Sequence, residues 1–368
     1  MVCDFALLAT EGVRSLRPYQ PGKPIEEVEQ ELGLTDVVKL ASNENPLGPG
    51  PLARTAFSTC AESLGRYPDS NGGSLKAALA RHLHVSEAAL TLGNGSNDVL
   101  ELIARGFLTS GHEVVFSEHA FLVYALVTQA AGARAVVTPA RRFGHDLEAM
   151  AGALSSRTRL VFIANPNNPT GTWVAHRPLE TFLQAVPSDV LVVVDEAYFE
   201  YVEEPDYPNC VPWVARYANL IVTRTFSKVY GLAGLRVGYA VSNPVIADLL
   251  NRVRQPFNVN MPAQRAAVAA LQDSEHLARS LALNRSGMAQ LEYGLQRLGL
   301  RYIPSVGNFI CVDVGRSGRD VYRALLERGI IARPVDNYGL ADFLRVTVGR
   351  EQENARFIEA LRRVLRRS

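Results

Sequence analysis

Residues 190–195 read VLVVVD, five apolar residues followed by an aspartate. Such a continuous, β-branched run is typical of a strand buried on both faces, as in a parallel sheet covered by helices. Similar runs lie between residues 90 and 241: LTL, EVVFS, RAVVT and LVFIA before it, and LIVT and VGYAV after it. Amphipathic helical patterns separate several of them. This βαβ rhythm predicts an α/β fold with a mostly parallel sheet and helices on both faces.

After residue 242 the sequence changes to longer helical patterns. Helices are predicted from Asn243-Pro244 to about Val253 and from near Ser274 to a C-cap at Gly299. The short runs YIPS, FICVDV and FLRVTVG follow, with helices after Ser317 and Glu351. The pattern predicts an N-terminal arm over 1–44, a large domain over 45–260 and a smaller α+β domain over 261–368.

Composition sets limits on what the chain does. Its 368 residues are 47% hydrophobic and 20% charged, which is ordinary for a soluble protein and long enough for two domains. A net charge of +1 argues against a nucleic-acid partner. No basic leader or membrane-length apolar run is evident, so we expect a cytoplasmic protein with no membrane partner. The four cysteines form no C-x-x-C pair, which suits a reducing compartment and predicts no metal site.

Polar residues follow the predicted strands, where α/β sheets bind ligands. Asp195 closes VLVVVD, with Tyr198 three residues later, and LVFIA precedes the turn NPNNPTG at residues 165–171, which holds Asn168. Either residue has a purely structural alternative: Asn168 could serve an Asx turn, and Asp195 could cap the next segment. A buried aspartate is costly unless a cation or ligand pairs with it.

Two further segments predict an anion site. LIVT is followed by Arg224, Thr225, Ser227, Lys228 and Arg236, and hydroxyls with arginines suit a phosphate. LTL is followed by GNGSND at residues 93–98 and then by a helical pattern, so a helix N-terminus is available for a phosphate as well. A dinucleotide motif is not supported, because an aspartate stands where its third glycine is needed.

These features together match one cofactor. Pyridoxal phosphate needs a lysine for its aldehyde, a carboxylate for its ring nitrogen, donors for its phenolate oxygen and a cradle for its phosphate. The lysine in TRTFSKVYGLAGLRVG (223–238) is otherwise unexplained, because small, apolar and hydroxyl residues surround it. Such surroundings, together with Arg236, would depress the pKa of Lys228.

The sequence resembles the fold-type-I pyridoxal-phosphate-dependent aminotransferases, and within them the histidinol-phosphate aminotransferases. NPNNPTG, DEAY and SK…GLRVG mark the superfamily, whereas RPYQPGKP, RYPD and RPVDNYG…LRVTVG indicate the narrower family. The resemblance covers nearly the whole chain. It implies transfer of the amino group of histidinol phosphate to 2-oxoglutarate in histidine biosynthesis. An aromatic amino-acid aminotransferase and, less favoured, a threonine-phosphate decarboxylase stay open as alternatives.

The resemblance also implies roles for individual residues. Lys228 would bind the cofactor aldehyde, Asp195 the ring nitrogen, and Asn168 and Tyr198 the phenolate oxygen. Phe121 would stack on the ring, where the family commonly has a tyrosine. The phosphate would contact Ser96, Asn97, Thr225, Ser227, Arg236 and, from the partner subunit of a homodimer, Tyr67. The substrate would contact Tyr19, Arg333, Arg345 and Asn308.

Overall fold

The computed structural model describes residues 3–18 and 22–366. The helices are α1 (Glu11–Arg14), α2 (Ile25–Leu32), α3 (Pro51–Ser58), α4 (Gly73–Leu83), α5 (Ser96–Phe107), α6 (Leu122–Ala130), α7 (Leu147–Gly152), α8 (His176–Ala185), α9 (Pro244–Val253), α10 (Met261–Ala270), α11 (Ser274–Arg297), α12 (Gly318–Leu326) and α13 (Glu351–Arg366). The strands are β1 (Val38–Lys39), β2 (Leu90–Gly93), β3 (Glu113–Ser117), β4 (Arg134–Thr138), β5 (Ala140–Arg141), β6 (Gly144–His145), β7 (Thr158–Ala164), β8 (Leu191–Asp195), β9 (Leu220–Thr225), β10 (Gly238–Ser242), β11 (Tyr302–Ile303), β12 (Phe309–Asp313), β13 (Ile330–Ile331), β14 (Arg333–Val335) and β15 (Leu340–Thr347).

The large sheet has the strand order β2-β10-β9-β8-β7-β3-β4. Its central pairs β3 with β7, β7 with β8 and β8 with β9 are parallel, whereas β10 runs antiparallel to both of its neighbours. Every apolar run predicted as a strand between residues 90 and 241 is a strand of this sheet. The predicted fold class, a mostly parallel sheet flanked by helices, is therefore confirmed.

Strand β8 shows why a continuous apolar run forms here. Because side chains alternate along a strand, Val192 and Val194 enter the core on one face of the sheet, while Leu191 and Val193 enter the core on the other. Helices α4, α8 and α10 contribute to the first core, and α5, α6 and α9 to the second. Both faces of the sheet are therefore covered, as the sequence pattern predicts.

A second, antiparallel sheet with the order β11-β12-β15-β14 lies in the C-terminal part of the chain. Helices α11, α12 and α13 pack on it around a separate core. The N-terminal segment joins this core, since β1 pairs in parallel with β13. Helix α10 instead buries its alanines in the core of the large sheet. The change of core therefore lies within α11, later than the predicted boundary between residues 260 and 261.

Over residues 3–18 and 22–366, no helix combines the length and the apolar character that crossing a membrane requires.

Candidate active site

A cavity opens at the carboxyl ends of β7, β8 and β9, where three adjacent parallel strands end. Ten of the eleven residues predicted to bind the cofactor line it, and so do both arginines predicted to bind substrate. These are Ser96, Asn97, Phe121, Asn168, Asp195, Tyr198, Thr225, Ser227, Lys228, Arg236, Arg333 and Arg345. Residues separated by up to 249 positions in sequence thus face one space.

Lys228 lies just after β9, and its Nζ donates to the carbonyl oxygen of Ser42 at 3.2 Å. The ammonium group also lies 5.5 Å from the centre of the Tyr198 ring. Burial, followed by the positive charge of Arg345, lowers the pKa of Lys228 to about 7. The predicted direction is thus found, although Arg345 contributes more than Arg236. A large fraction of this amine is neutral at neutral pH.

This lowered pKa gives a testable pH dependence. In the cofactor-free chain, the rate at which Lys228 captures pyridoxal phosphate should rise with pH and reach half its maximum near pH 7, because only the neutral amine attacks a carbonyl. Stopped-flow absorbance measures this rate. An ordinary lysine, with a pKa of about 10.4, would give a rate that still climbs at pH 9 to 10, and that result would contradict the assignment.

Asp195 ends β8 and is 5% exposed, so its carboxylate needs donors. Tyr124 Oη donates to Oδ2 at 3.0 Å, and Thr223 Oγ1 donates to Oδ1 at 3.0 Å. Burial raises the pKa of Asp195, and these two hydrogen bonds oppose the rise. Each carboxylate oxygen is therefore held by one hydroxyl while the group lines the cavity, where it can pair with a protonated ring nitrogen.

Sequence reasoning missed Tyr124, which is fully buried in α6. Its ring stacks on Phe162 with centroids 4.6 Å apart, and Phe121 meets its edge. Burial and the Asp195 charge raise the pKa of Tyr124 well above its usual value, so the phenol stays protonated and donates. A signal was available, because a tyrosine on the apolar face of a helix normally finds a partner for its hydroxyl.

Replacing Tyr124 with phenylalanine should weaken catalysis without disturbing the fold. The ring stack on Phe162 is kept, but Oδ2 of Asp195 loses its donor and the pKa of Asp195 rises. A hydrogen bond to a charged group is worth about 1.5–3 kcal/mol, so kcat should fall about 10- to 100-fold. Tyr293→Phe, at an exposed position of α11, is the matched control. Equal kcat values for both variants would show that the contact is dispensable.

An anion cradle forms where the start of α5 meets Arg236. Ser96 is the first residue of α5, so its N–H lies at a helix N-terminus. A Cβ on Gly95 would lie 2.4 Å from Nη2 of Arg236, and a Cβ on Gly238 would lie 2.4 Å from the Ser96 nitrogen. The two glycines therefore keep the cradle open. Arg236 Nη1 also donates to Ser227 Oγ at 3.3 Å, so the donor set fits a phosphate.

Two arginines form the opposite wall. Arg333 and Arg345 are directly paired across β14 and β15, which places both side chains on one face of the small sheet. Both are at most 9% exposed. Arg345 donates through Nη1 to Asn168 Oδ1 and through Nη2 to the Ala41 carbonyl oxygen. The small sheet thus presents guanidinium groups to a cavity built by the large sheet.

The structure corrects the interpretation of Arg224 as part of the anion site. Arg224 donates through Nε and Nη2 to Glu196 Oε2 at 2.9 and 2.7 Å, and both side chains are buried. Alternation explains this, because Asp195 and Thr225 line the cavity and their neighbours Glu196 and Arg224 point to the opposite face of the sheet. Arg224 therefore compensates a buried carboxylate and does not line the cavity.

Two predicted contacts lie elsewhere, and a third falls outside the described residues. Tyr67 is 82% exposed and stacks on Phe257 with ring centroids 4.7 Å apart, outside the cavity of its own chain. Asn308 lies behind the cavity wall, where its Nδ2 donates to the carbonyl oxygen of Asn43 at 3.0 Å. Direct contact of Asn308 with a substrate is therefore not supported. Tyr19 lies outside the described residues.

The cavity and the fold define a class of enzyme. Residues 35–361 match the family of aminotransferases of class I and II, and the chain belongs to this family. It is 58% identical over 361 residues to histidinol-phosphate aminotransferase 1 of Nitrosococcus oceani, covering 98% of each chain. It is also 58% identical over 366 residues to histidinol-phosphate aminotransferase 2 of Pseudomonas fluorescens, covering 99% of each. The crystal structure of histidinol-phosphate aminotransferase from Sinorhizobium meliloti in complex with pyridoxal-5'-phosphate superposes with a TM-score of 0.89 at 31% identity, covering 97% of each chain. Within its class, the chain belongs to the histidinol-phosphate aminotransferases.

Proposed function

We propose that the chain transfers the amino group of L-histidinol phosphate to 2-oxoglutarate, with pyridoxal phosphate as cofactor. The products are imidazole acetol phosphate and glutamate, a step of histidine biosynthesis. The observation that carries this proposal is the shared cavity, in which a lysine with a pKa of about 7, a buried aspartate and an open anion cradle lie together. The sequence relatives named above support the substrate.

The residues present fit the cofactor. Lys228 would hold its aldehyde carbon and Asp195 its ring nitrogen, while Asn168 and Tyr198 would donate to the phenolate oxygen. Phe121, the residue before α6, lines the cavity and would cover one face of the ring. The cradle would take the phosphate through Ser96, Asn97, Thr225, Ser227 and Arg236. When bound, the cofactor supplies an electrophilic carbon and a ring that accepts the electrons released at the substrate.

Lys228 also moves the proton in this proposal. With cofactor and substrate bound, the Lys228 amine would take the proton from the carbon that bears the substrate nitrogen. A base with a pKa near the working pH suits that transfer. Asp195, held by Tyr124 and Thr223, keeps a negative charge beside the ring nitrogen. The same residues act in reverse when 2-oxoglutarate takes up the amino group.

Arg333 and Arg345 explain how one site accepts two different substrates. Histidinol phosphate carries a phosphate and 2-oxoglutarate carries carboxylates, and a guanidinium group binds either anion through paired N–H donors. Both arginines lie on one face of the small sheet at the cavity. A phosphate-bearing substrate should therefore be strongly preferred over a neutral one of similar shape.

The specificity experiment compares kcat/KM for histidinol phosphate, histidinol and phenylalanine at saturating 2-oxoglutarate. We expect histidinol phosphate to be preferred over histidinol by about 10²-fold or more, since a charged hydrogen-bonded pair is lost with the phosphate. A higher kcat/KM for phenylalanine would favour an aromatic amino-acid aminotransferase. Release of carbon dioxide from threonine phosphate without 2-oxoglutarate would indicate a decarboxylase.

A homodimer with shared active sites is part of the proposal. Tyr67 projects from the surface at 82% exposure beside Phe257, itself 39% exposed, so the pair forms an exposed aromatic patch. Exposed aromatic side chains of this kind are typical of protein interfaces. In the partner's cavity, the Tyr67 hydroxyl would reach the cofactor phosphate.

Mixing two defective variants tests the shared site. Tyr67→Ala and Lys228→Ala chains, each impaired alone, should regain up to about a quarter of wild-type activity after subunit exchange, because half of the dimers are mixed and one of their two sites is intact. Activity of the mixture equal to the average of the separate variants would contradict sharing. Tyr67→Phe mixed with Lys228→Ala controls for loss of the ring itself.

We also propose a cytoplasmic location. The four cysteines Cys3, Cys60, Cys210 and Cys311 are unpaired, and the last three are buried. Free, buried thiols suit a reducing compartment.

A further inference from the structure

Asn43 lies between the small sheet and Tyr198. It was not among the site residues predicted from the sequence. Its Nδ2 is 2.9 Å from Tyr198 Oη. On its other side, its backbone N–H donates to Thr347 Oγ1 at 2.9 Å, and that hydroxyl lies 3.3 Å from Asn43 Oδ1. All three side chains are at most 4% exposed, so the direction of each hydrogen bond matters.

The pattern of donors fixes which way the amide faces. Because Thr347 Oγ1 already accepts from the backbone of Asn43, its own proton needs an acceptor, and Asn43 Oδ1 supplies one. The NH2 group of Asn43 then faces Tyr198. An amide NH2 only donates, so the Tyr198 oxygen accepts and its hydroxyl proton must point elsewhere. Tyr198 lines the cavity, so the cavity is where that proton is directed.

The backbone of Asn43 is held in place as well. Its φ is 54°, a left-handed conformation that asparagine adopts more readily than most residues. Asn308, the residue before β12 of the small sheet, donates through Nδ2 to the Asn43 carbonyl oxygen at 3.0 Å. Thr347, which ends β15, and Asn308, which precedes β12, thus hold a residue that contacts Tyr198.

We propose that Asn43 is a positioning residue, which turns the hydroxyl proton of Tyr198 into the cavity and toward the phenolate oxygen of pyridoxal phosphate. This inference rests on the proposed function, because it assigns the phenolate as the acceptor. In this proposal, Thr347 fixes the orientation of the Asn43 amide, and Asn308 holds the Asn43 backbone.

The spectroscopic test is a pH titration of the visible absorbance of the cofactor bound to Lys228. A hydrogen bond donated to the phenolate favours the form in which the nitrogen joining cofactor and lysine is deprotonated, because the oxygen then carries its full charge. Loss of the donor in Tyr198→Phe should therefore raise the titration midpoint by about one pH unit. Asn43→Gly, which keeps the left-handed backbone accessible, should raise it in the same direction by a smaller amount.

The double variant decides between positioning and a general structural role. If Asn43 acts through Tyr198, Asn43→Gly should not move the midpoint further in the Tyr198→Phe background. An equal shift in both backgrounds would overturn the proposal. Thr347→Val, which removes the orienting hydroxyl at nearly constant volume, serves as the second variant if Asn43→Gly does not fold. It should shift the midpoint upward in the wild type and leave it unchanged in Tyr198→Phe.

The same measurement separates this inference from the proposed function. If the wild-type chain gains no visible absorbance on adding pyridoxal phosphate, the proposed cofactor is wrong. If the absorbance forms and titrates but the shifts are additive, only the role of Asn43 is wrong. The dissociation constant of pyridoxal phosphate, measured for Asn43→Gly and Thr347→Val, should change less than about 10-fold, because the Tyr198 hydroxyl is kept and only its orientation is released.

Discussion

Replacing Lys228 with alanine is expected to abolish transamination, lowering kcat by at least about 10⁴-fold. Under the proposed function, the variant loses both the amine that would capture the cofactor and the base that would move the substrate proton. The absorbance band of the cofactor joined to Lys228 should be lost as well. Because the only described hydrogen bond of the Lys228 Nζ is the one to the Ser42 carbonyl oxygen, the fold should be kept. Steady-state kinetics and absorbance check both outcomes.

The small number of lysines in the chain makes it simple to identify which lysine binds the cofactor. The sequence contains four lysines, Lys23, Lys39, Lys76 and Lys228. Borohydride reduction of the wild-type protein with bound cofactor, followed by peptide mass mapping, should place the added mass on Lys228 alone. Lys39→Ala, which removes a partly exposed lysine paired with Glu44, is the matched control and should retain activity. Normal turnover by purified Lys228→Ala would refute the assigned role.

Replacing Asp195 with asparagine is expected to lower kcat by about 10²- to 10³-fold, the range typical for loss of one preorganised electrostatic contact. The amide has nearly the same shape but cannot carry the negative charge that, in the proposed function, would keep the ring nitrogen protonated. It also sets an NH2 group against one of the two hydroxyl donors, Tyr124 or Thr223. The proton-transfer step should slow most.

Deuterium exchange at the substrate carbon isolates that step. Histidinol phosphate is labelled with deuterium at the carbon that bears the amine. The Asp195→Asn variant should exchange this deuterium with solvent far more slowly than the wild type. Asp189→Asn, at an exposed position before β8, provides a matched control for removing one carboxylate. An unchanged exchange rate in Asp195→Asn would show that this carboxylate does not tune the cofactor ring.

Local pattern was sufficient to predict much of the fold. Each strand of the large sheet is a short apolar run, and the caps Asn243 and Ser317 begin helices where the sequence places them. Strand order was beyond such reasoning, because it depends on contacts between residues distant in sequence. The change of core within α11 was also missed. A long helix that leaves one core and enters another carries a continuous helical pattern, so the sequence shows no break there.

The site was predictable where chemistry restricts residue type. A lysine among small residues and an aspartate after an apolar strand are each costly without a ligand, which is why Lys228 and Asp195 were recognised. Tyr124 and Asn43 were missed because their roles depend on three-dimensional neighbours. Arg224 was wrongly assigned to the anion site for the same reason. Its contact with Glu196 shows that it lies on the face of the sheet that points away from the cavity.

The most direct test of the central claim is the formation of glutamate. Purified protein with pyridoxal phosphate, histidinol phosphate and 2-oxoglutarate should produce one glutamate for each histidinol phosphate consumed. Omitting 2-oxoglutarate should limit conversion to about one substrate per active site, because no acceptor is then present to take up the amino group. Consumption of histidinol phosphate without glutamate, or no consumption by protein that holds the cofactor, would contradict the proposed activity.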